Sequence, residues 1–329
     1  MSHSLLSAKR KIGALLSNGS INRFFVNINL ILFHWNERGH WVRKDNAADK
    51  KFYVIRSRSN LEGLISIYFY VAYGVKIALE NGFIPVIDLR TNNQYLEDHL
   101  INGTDNAWEY YFEQPSGYTM NDLRNEKNIF YDGWQFHPKY TVDALTKKVD
   151  DAKYGEIRSF CNEHLRINQH VLALAEEKYS QLLGDYKGHV LGVFMRGTDY
   201  VALAPAGHCI QPSVEMVIDK TREYLRDYDI RKIFFVTEDY EYYQKYVEAF
   251  GDLVITSDNY FVKEYSGKKY LADEINIDPY TKGLQYLIRL IILSKCDYLI
   301  AGQTNGSIFA RCFMQNEPKS EYWFDIGLY

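Results

Sequence analysis

The chain has 329 residues, of which 47% are hydrophobic and 24% charged, and its net charge at pH 7 is -4. Its length suits two domains of about 150 residues each, and the acidic balance argues against a nucleic-acid binder that works by bulk positive charge. The four cysteines form no C-x-x-C pair, so neither a zinc site nor a dense disulfide framework is expected, and a cytoplasmic location is predicted.

The N-terminal segment carries Lys9, Arg10 and Lys11, followed by an apolar stretch from Phe24 to Trp35. At about a dozen residues, this stretch is shorter than the ~20 that span a bilayer. It also lacks the compact apolar core and cleavage site of a signal peptide. Two interpretations stay open: a helix docked on its domain, or a segment in peripheral contact with a membrane surface.

Residues 52–89 predict a first strand-helix-strand unit. Phe52–Arg56 reads as a strand, and the polar residues Ser57–Gly63 read as a loop. Apolar residues recur at helical spacing from Leu64 to Asn81, and Gly82 is a stop signal. Phe83–Leu89 then predicts a parallel strand, which places the loop at the carboxyl edge of a sheet, where ligands bind.

Residues 104–137 are dense in aromatic side chains, with one strand expected near 128–131. Residues 151–182 have a helical pattern, and 183–187 predict a linker. We therefore expect an N-terminal domain over 1–184 and a C-terminal domain over 185–329.

The second half repeats the alternation of strands and helices. This order predicts a second α/β domain, with a ligand cleft between the two domains. The predicted strands are Val190–Met195, Lys232–Thr237, Asp252–Thr256 and Asp297–Ala301, and the predicted helices are Ser213–Tyr224, Tyr240–Phe250, Lys282–Ser294 and one from Ile308.

Arg196, Gly197, Thr198 and Asp199 directly follow a strand of the second half. An arginine at a strand end offers a planar, permanently charged donor that can hold a diphosphate with two parallel bonds. Gly197 allows close approach of the backbone, and Thr198 adds a hydroxyl group. A structural salt bridge of the arginine is the equal alternative.

Two further strand ends carry polar residues. Glu238 and Asp239 suit a nucleobase or a ribose, because carboxylates accept hydrogen bonds from amino and hydroxyl groups. Thr304, Asn305, Gly306 and Ser307 come at the start of a helix, where backbone N–H groups favour an anion. Together the three strand ends predict a site for a nucleoside diphosphate.

This order of motifs resembles the superfamily of α-1,6-, α-1,2- and protein O-fucosyltransferases over roughly residues 52–315. Phe194–Asp199 occupies the position of the family's His-x-Arg-Arg-Thr/Gly-Asp motif. Thr237, Glu238 and Asp239 look like the stretch that contacts the nucleoside. Gly302–Ser307 looks like the last motif, which binds the donor phosphates.

The resemblance implies two facing Rossmann-like domains of GT-B type and inverting sugar transfer without a metal or cofactor. The implied donor is GDP-fucose, and Arg196 falls on the arginine that grips its diphosphate, assisted by Thr304 and Ser307. No Asp-x-Asp pair follows a strand to hold a cation. Phe194 and Gly197 depart from the family's histidine and second arginine, which leaves another nucleotide sugar open.

The acceptor side offers several candidates for a general base, which needs hydrogen-bond reach to the attacking hydroxyl. These are Glu62, Asp88, Glu109 and Asp199, of which Glu62 and Asp88 are kept as catalytic candidates. His208 lies in the loop after Arg196 and is a candidate for the donor site. Asn93, Gln94, Trp108 and Tyr110 could line an acceptor groove, with core packing the alternative for the two aromatic residues.

The leading hypothesis is a bacterial-type enzyme that transfers fucose to a surface polysaccharide or a lipid-linked glycan. The lipid-linked acceptor would favour a peripheral position at the inner membrane. The alternative is a non-catalytic protein on the same fold that binds sugar nucleotides or glycans. A nucleotide-dependent dehydrogenase is disfavoured because no Gly-x-Gly-x-x-Gly follows a strand.

Overall fold

The computed structural model describes residues 39–57, 62–91, 93–132, 151–257, 261–263, 265, 267 and 277–329. The basic and apolar N-terminal segment, and residues 58–61 of the first predicted loop, lie outside the described residues. Within the described ranges, no helix combines the length and the apolar composition that a bilayer span requires.

The described residues group into two compact units. The first takes its residues from Met1–Glu62, Ile67–Tyr140 and His164–Arg166, and the second from Gly63–Ser66, Thr141–Glu163 and Ile167–Tyr329. The second unit thus includes helical residues upstream of residue 184. The boundary expected at that residue stays a prediction.

The first unit is built on a four-stranded mixed sheet. Its strands are β1 (His40–Arg43), β2 (Phe52–Arg56), β3 (Ile84–Asp88) and β4 (Ile129–Tyr131), in the order β1-β4-β2-β3. Strand β2 runs parallel to β3 and β4, while β1 is antiparallel to β4. The predicted strands are confirmed, whereas the short, mostly exposed β1 had no alternating pattern to reveal it.

Helix α1 (Leu64–Glu80) connects β2 to β3. Gly82 follows with a φ of +69°, a left-handed conformation that glycine adopts without steric cost, so the predicted stop is confirmed. Gly74 lets the helix approach β2, because a Cβ at this position would lie 3.0 Å from the Ile55 side chain.

The aromatic residues of the first unit fill its core. Trp108 and Tyr110 are 1% and 0% exposed, and the Trp108 indole donates to the carbonyl of Glu113 at 2.9 Å. Both therefore pack in the core, and neither lines an open groove in this structure.

The second unit has a five-stranded, all-parallel sheet. Its strands are β5 (Val190–Phe194), β6 (Lys232–Val236), β7 (Val254–Ile255), β8 (Tyr298–Gly302) and β9 (Ser320–Phe324), in the order β7-β6-β5-β8-β9. The central strands are apolar and almost fully buried, as expected for parallel strands covered on both faces.

Seven helices in the described residues complete the fold. They are α2 (Asp151–His164), α3 (Gln169–Leu183), α4 (Thr198–Leu203), α5 (Val214–Asp227), α6 (Tyr240–Phe250), α7 (Pro279–Leu293) and α8 (Asn305–Phe313). Short 3-10 turns occupy Asp122–Asn125, Gly184–Tyr186 and Gly251–Leu253.

Helix starts follow from side-chain caps. The Asp278 carboxylate accepts from the Thr281 backbone N–H at 2.8 Å, and Pro279 takes the first helical position. Helix α7 therefore begins three residues before the predicted Lys282. Ser213 caps α5 in the same way.

Candidate functional site

The carboxyl ends of β5, β6 and β8 lie side by side in the second unit. Phe194 pairs with Val236 on one side and with Ala301 on the other. Because the three strands are parallel and in register, the residues that follow them lie along one edge of the sheet. Arg196, Glu238 and Thr304 come two or three residues after these aligned positions.

Arg196 is held by two carboxylates of its own unit. Its Nη2 donates to Asp199 Oδ1 at 2.7 Å, and its Nε lies 3.1 Å from Glu238 Oε1. Its guanidinium carbon lies 4.9 Å from the centre of the Tyr200 ring, within cation–π range. The Arg196 side chain is 15% exposed. In this structure the arginine thus makes the structural salt bridges that were the alternative to a diphosphate contact.

Glu238 organises the turn after β5. Besides facing Arg196, its Oε1 accepts from the backbone N–H of Gly197 at 3.0 Å and from the Thr198 hydroxyl at 2.9 Å. One buried carboxylate oxygen thereby fixes three consecutive residues. The nucleoside role predicted for Glu238 stays a prediction, and this oxygen is already engaged by protein donors.

Asp239 has both oxygens in structural bonds. Oδ1 accepts from the Tyr242 backbone N–H at 3.1 Å and caps α6, and Oδ2 lies 3.3 Å from the Thr198 nitrogen. A Cβ at position 197 would lie 2.8 Å from the Asp239 Cβ and 2.9 Å from its Cγ. Glycine is therefore required because the Asp239 side chain occupies the space.

Thr198 has a φ of +39°, which is strained for a β-branched residue. The strain is held by the bonds of its nitrogen and hydroxyl to Asp239 and Glu238. It begins α4, a six-residue helix that the sequence pattern did not predict. Asp199 lies in the first turn of this helix, where its carboxylate accepts from the Arg196 guanidinium.

Burial and charge set the protonation of this cluster. Burial raises the pKa of Glu238, the Arg196 charge opposes the rise and Asp199 adds to it. Burial lowers the pKa of Arg196, but the charges of Glu238 and Asp199 outweigh it and hold the pKa above its ordinary value. Arg196 is therefore charged at every physiological pH.

Thr304 and Ser307 form a capping box at the start of α8. The Thr304 hydroxyl accepts from the Ser307 backbone N–H at 3.3 Å, and the Ser307 hydroxyl accepts from the Thr304 N–H at 3.0 Å. The Ser307 hydroxyl also donates to the carbonyl of Gly302 at 2.6 Å. Their side chains build the helix start, whose first turn also contains the backbone N–H groups of Asn305 and Gly306. The anion site predicted at this helix start stays a prediction.

Tyr286 of α7 lies over this helix start, and sequence reasoning missed it. A Cβ on Gly306 would collide with the Tyr286 hydroxyl and would lie 3.0 Å from Phe194 Cζ. Burial raises the pKa of Tyr286 to about 12, although the nearby charge of Arg196 lowers it. The apolar periodicity of α7 gave no signal that this residue faces the site.

His208 lies beside Tyr200, with 5.5 Å between the ring centres. Burial lowers the pKa of His208, against the charge of Asp199, so the imidazole is mostly neutral at pH 7. Its backbone is bonded to Tyr329, whose N–H donates to the His208 carbonyl at 3.0 Å. Tyr200 therefore lies between the two residues: its ring contacts His208 and also the Arg196 guanidinium.

The base candidates of the first unit are engaged in their own networks. Asp88 accepts two bonds from Arg90, at 2.7 and 2.9 Å. Glu109 accepts from the side chains of Thr104, Asn106 and Gln114. Glu62 is half-buried, and its carbonyl accepts from the Gln94 amide at 2.6 Å.

Among the described residues, one group of three potential metal ligands comes close together. Ligand atoms of Glu97, Asp98 and His99 lie within 4.8 Å of one another. The three residues are consecutive in the sequence, two of them are exposed, and they lie in the first unit. Exposed acidic groups of this kind are common without a metal, and metal independence of the Arg196 site stays a prediction.

The sequence matches no protein-family model and no curated protein. Among solved structures, the chain is similar to POFUT1 in complex with GDP-fucose, at 10% identity, covering 86% of this chain and 100% of that chain with a TM-score of 0.50. NodZ α-1,6-fucosyltransferase co-crystallized with GDP is 17% identical, and the match covers 83% of this chain and 94% of that chain with a TM-score of 0.48. A mutant of Arabidopsis thaliana FUT1 in complex with GDP is 12% identical, and the match covers 86% of this chain and 73% of that chain with a TM-score of 0.48.

The POFUT1 match shows that this chain has a fucosyltransferase-like α/β fold, as the motif resemblance implies. At such low identity the likeness concerns the fold alone, so activity is argued from the residues of the site.

Proposed function

We propose that this chain is an inverting, metal-independent glycosyltransferase that moves fucose from GDP-fucose to a glycan acceptor. The observation that carries the proposal is the adjacency of Arg196, on the turn after β5, and the start of α8, on the turn after β8. A guanidinium and the backbone N–H groups of a helix start along one sheet edge are suited to a diphosphate.

The chemistry follows from this placement. In an inverting transfer, an acceptor hydroxyl attacks the anomeric carbon while the bond to the β-phosphate oxygen breaks and its electron pair stays on the diphosphate. Donors fixed before the reaction stabilise this developing charge without reorganisation. The acceptor proton passes to a general base, for which Asp88 and Glu62 are the candidates.

The remaining parts of the proposal rest on the motif resemblance. They are two facing Rossmann-like domains of GT-B type with a cleft, a surface polysaccharide or lipid-linked glycan as acceptor, no cofactor, and a cytoplasmic place with peripheral membrane contact. Another nucleotide sugar is the alternative donor.

One observation favours a second candidate function, a non-catalytic sugar-nucleotide-binding protein. Arg196 is balanced by the carboxylates of Glu238 and Asp199, so less of its charge acts on a leaving diphosphate. The two candidate functions differ in one measurable property: the transferase releases GDP from GDP-fucose when an acceptor is present, and the binding protein does not.

Release of GDP from GDP-fucose, measured with a panel of glycan acceptors in EDTA, tests the proposal. Acceptor-dependent release with an inverted product anomer supports it. Tight binding of GDP-fucose without release for any acceptor would favour the binding protein.

A further inference from the structure

Tyr286 is the feature of this site that the strand-end motifs leave unexplained. It comes from α7, and its hydroxyl lies against Gly306, in the first turn of α8. A side chain at position 306 would displace it, so the glycine makes room for the phenol. The hydroxyl therefore packs against the first turn of α8, and the charge of Arg196 is near enough to lower the pKa of Tyr286.

The Tyr286 hydroxyl is available as a donor throughout the physiological pH range. Burial raises its pKa to about 12, and a phenol with this pKa stays protonated at neutral pH. A protonated phenol donates one hydrogen bond. A donor that remains neutral and fixed can stabilise an anion without the cost of reorganisation.

The charges of the neighbouring cluster make such a donor important. Arg196 contributes one positive charge, while Glu238 and Asp199 contribute two negative charges when both are ionised. Part of the Arg196 charge is therefore offset within the cluster. The N–H groups at the start of α8 and the Tyr286 hydroxyl are neutral donors that would add to the guanidinium and do not depend on this charge balance.

We propose that the Tyr286 hydroxyl donates a hydrogen bond to the β-phosphate of the bound nucleotide and stabilises it as the leaving group. This role rests on the proposed function. The phenol keeps its proton: the bond between the anomeric carbon and the phosphate oxygen breaks, the electron pair stays on that oxygen, and the acceptor proton goes to the general base.

Tyr286→Phe removes one oxygen and keeps the ring, and Tyr246→Phe is a matched control. Tyr246 is a fully buried tyrosine of the same unit whose hydroxyl bonds Thr221 in the core, at 2.7 Å. Each protein is titrated with GDP and with GMP, which lacks the β-phosphate. The rate of GDP release from GDP-fucose is measured alongside.

We expect Tyr286→Phe to weaken GDP binding about tenfold or more, in line with a lost hydrogen bond to a charged group. GMP binding stays as in the wild type, and turnover falls by roughly 100-fold. Tyr246→Phe leaves the ratio of GDP to GMP affinity unchanged.

The outcomes separate the two proposals. A wild-type protein that binds no GDP contradicts the proposed function and this role with it. A wild-type protein that binds GDP, with an unchanged GDP-to-GMP ratio in Tyr286→Phe, contradicts only the role of Tyr286. A thermal unfolding midpoint of Tyr286→Phe close to that of the wild type excludes a folding defect as the cause of weaker binding.

Discussion

Glu238 Oε1 lies 3.1 Å from Arg196 Nε, which ties the end of β6 to the turn after β5. The same oxygen accepts from Gly197 and Thr198, so the position of the arginine depends on a residue far along the chain. The acid predicted to contact a nucleoside thus acts, in this structure, on the arginine predicted to contact a diphosphate.

Glu238→Ala is expected to lower the free energy of unfolding by about 1 to 3 kcal/mol, because it removes a buried carboxylate that faces Arg196. It also leaves the Gly197 N–H and the Thr198 hydroxyl without their acceptor. Urea denaturation measures the effect. Glu238→Gln keeps an oxygen at this place and should cost clearly less, so equal losses in the two variants would argue against the hydrogen-bonding role.

The pH dependence of stability should report the raised pKa of Glu238. A carboxyl whose pKa is higher in the folded than in the unfolded protein contributes stability that is complete below its ordinary value of 4.5. That contribution is lost as the pH rises through the folded-state pKa. The unfolding free energy of the wild type, minus that of Glu238→Gln, should therefore fall as the pH rises from 4.5 towards neutrality. A difference that grows over this range would show that the Arg196 charge dominates instead.

Gly197→Ala is expected to disturb the site because the new methyl group would overlap the Asp239 side chain. We expect a loss of about 1 to 3 kcal/mol in the free energy of unfolding, together with weaker GDP binding. Gly155→Ala in α2 is the control, since no atom lies within 4 Å of the added Cβ and alanine favours a helix. If both variants match the wild type in stability and GDP binding, the close packing of Gly197 against Asp239 is not required.

Thr304→Ala tests the capping box of α8. Losing the side-chain acceptor of the Ser307 N–H should cost about 1 kcal/mol, seen as a lower thermal midpoint. Thr304→Ser retains the hydroxyl and should keep most of the stability. Should the serine variant lose as much as the alanine variant, the methyl group of Thr304, and not its hydroxyl, would be the stabilising part.

The sequence allowed the central strands to be predicted, because β5, β6 and β8 are apolar runs that end in polar residues. It did not reveal α4, whose six residues are too few for a helical period, nor β9, which lies at the sheet edge and mixes polar with apolar side chains. Short elements of this kind are fixed by tertiary contacts rather than by local pattern.

The site was predictable as a set of strand ends and not as a network. Parallel strands bring Arg196, Glu238 and Thr304 to one edge, and that follows from topology. Which partner each side chain takes depends on packing between distant segments. The pairing of Thr304 with Ser307 was missed although it is local, and the helix expected from Ile308 begins at Asn305. The common capping box has Glu or Gln at the third helical position, where this chain has Ser307.

Calorimetric titration of the wild type with GDP and UDP, with EDTA and with magnesium, tests the central claim most directly. The test variant is Arg196→Met combined with Glu238→Gln, which avoids leaving Glu238 as a buried unpaired charge, and Glu238→Gln alone is its control, so that a loss of GDP binding is assigned to the arginine. We predict that GDP binds equally well with and without magnesium, that UDP binds much more weakly, and that the double variant loses GDP while remaining folded. Binding that requires magnesium, a preference for UDP, or full GDP affinity in the double variant would contradict the account.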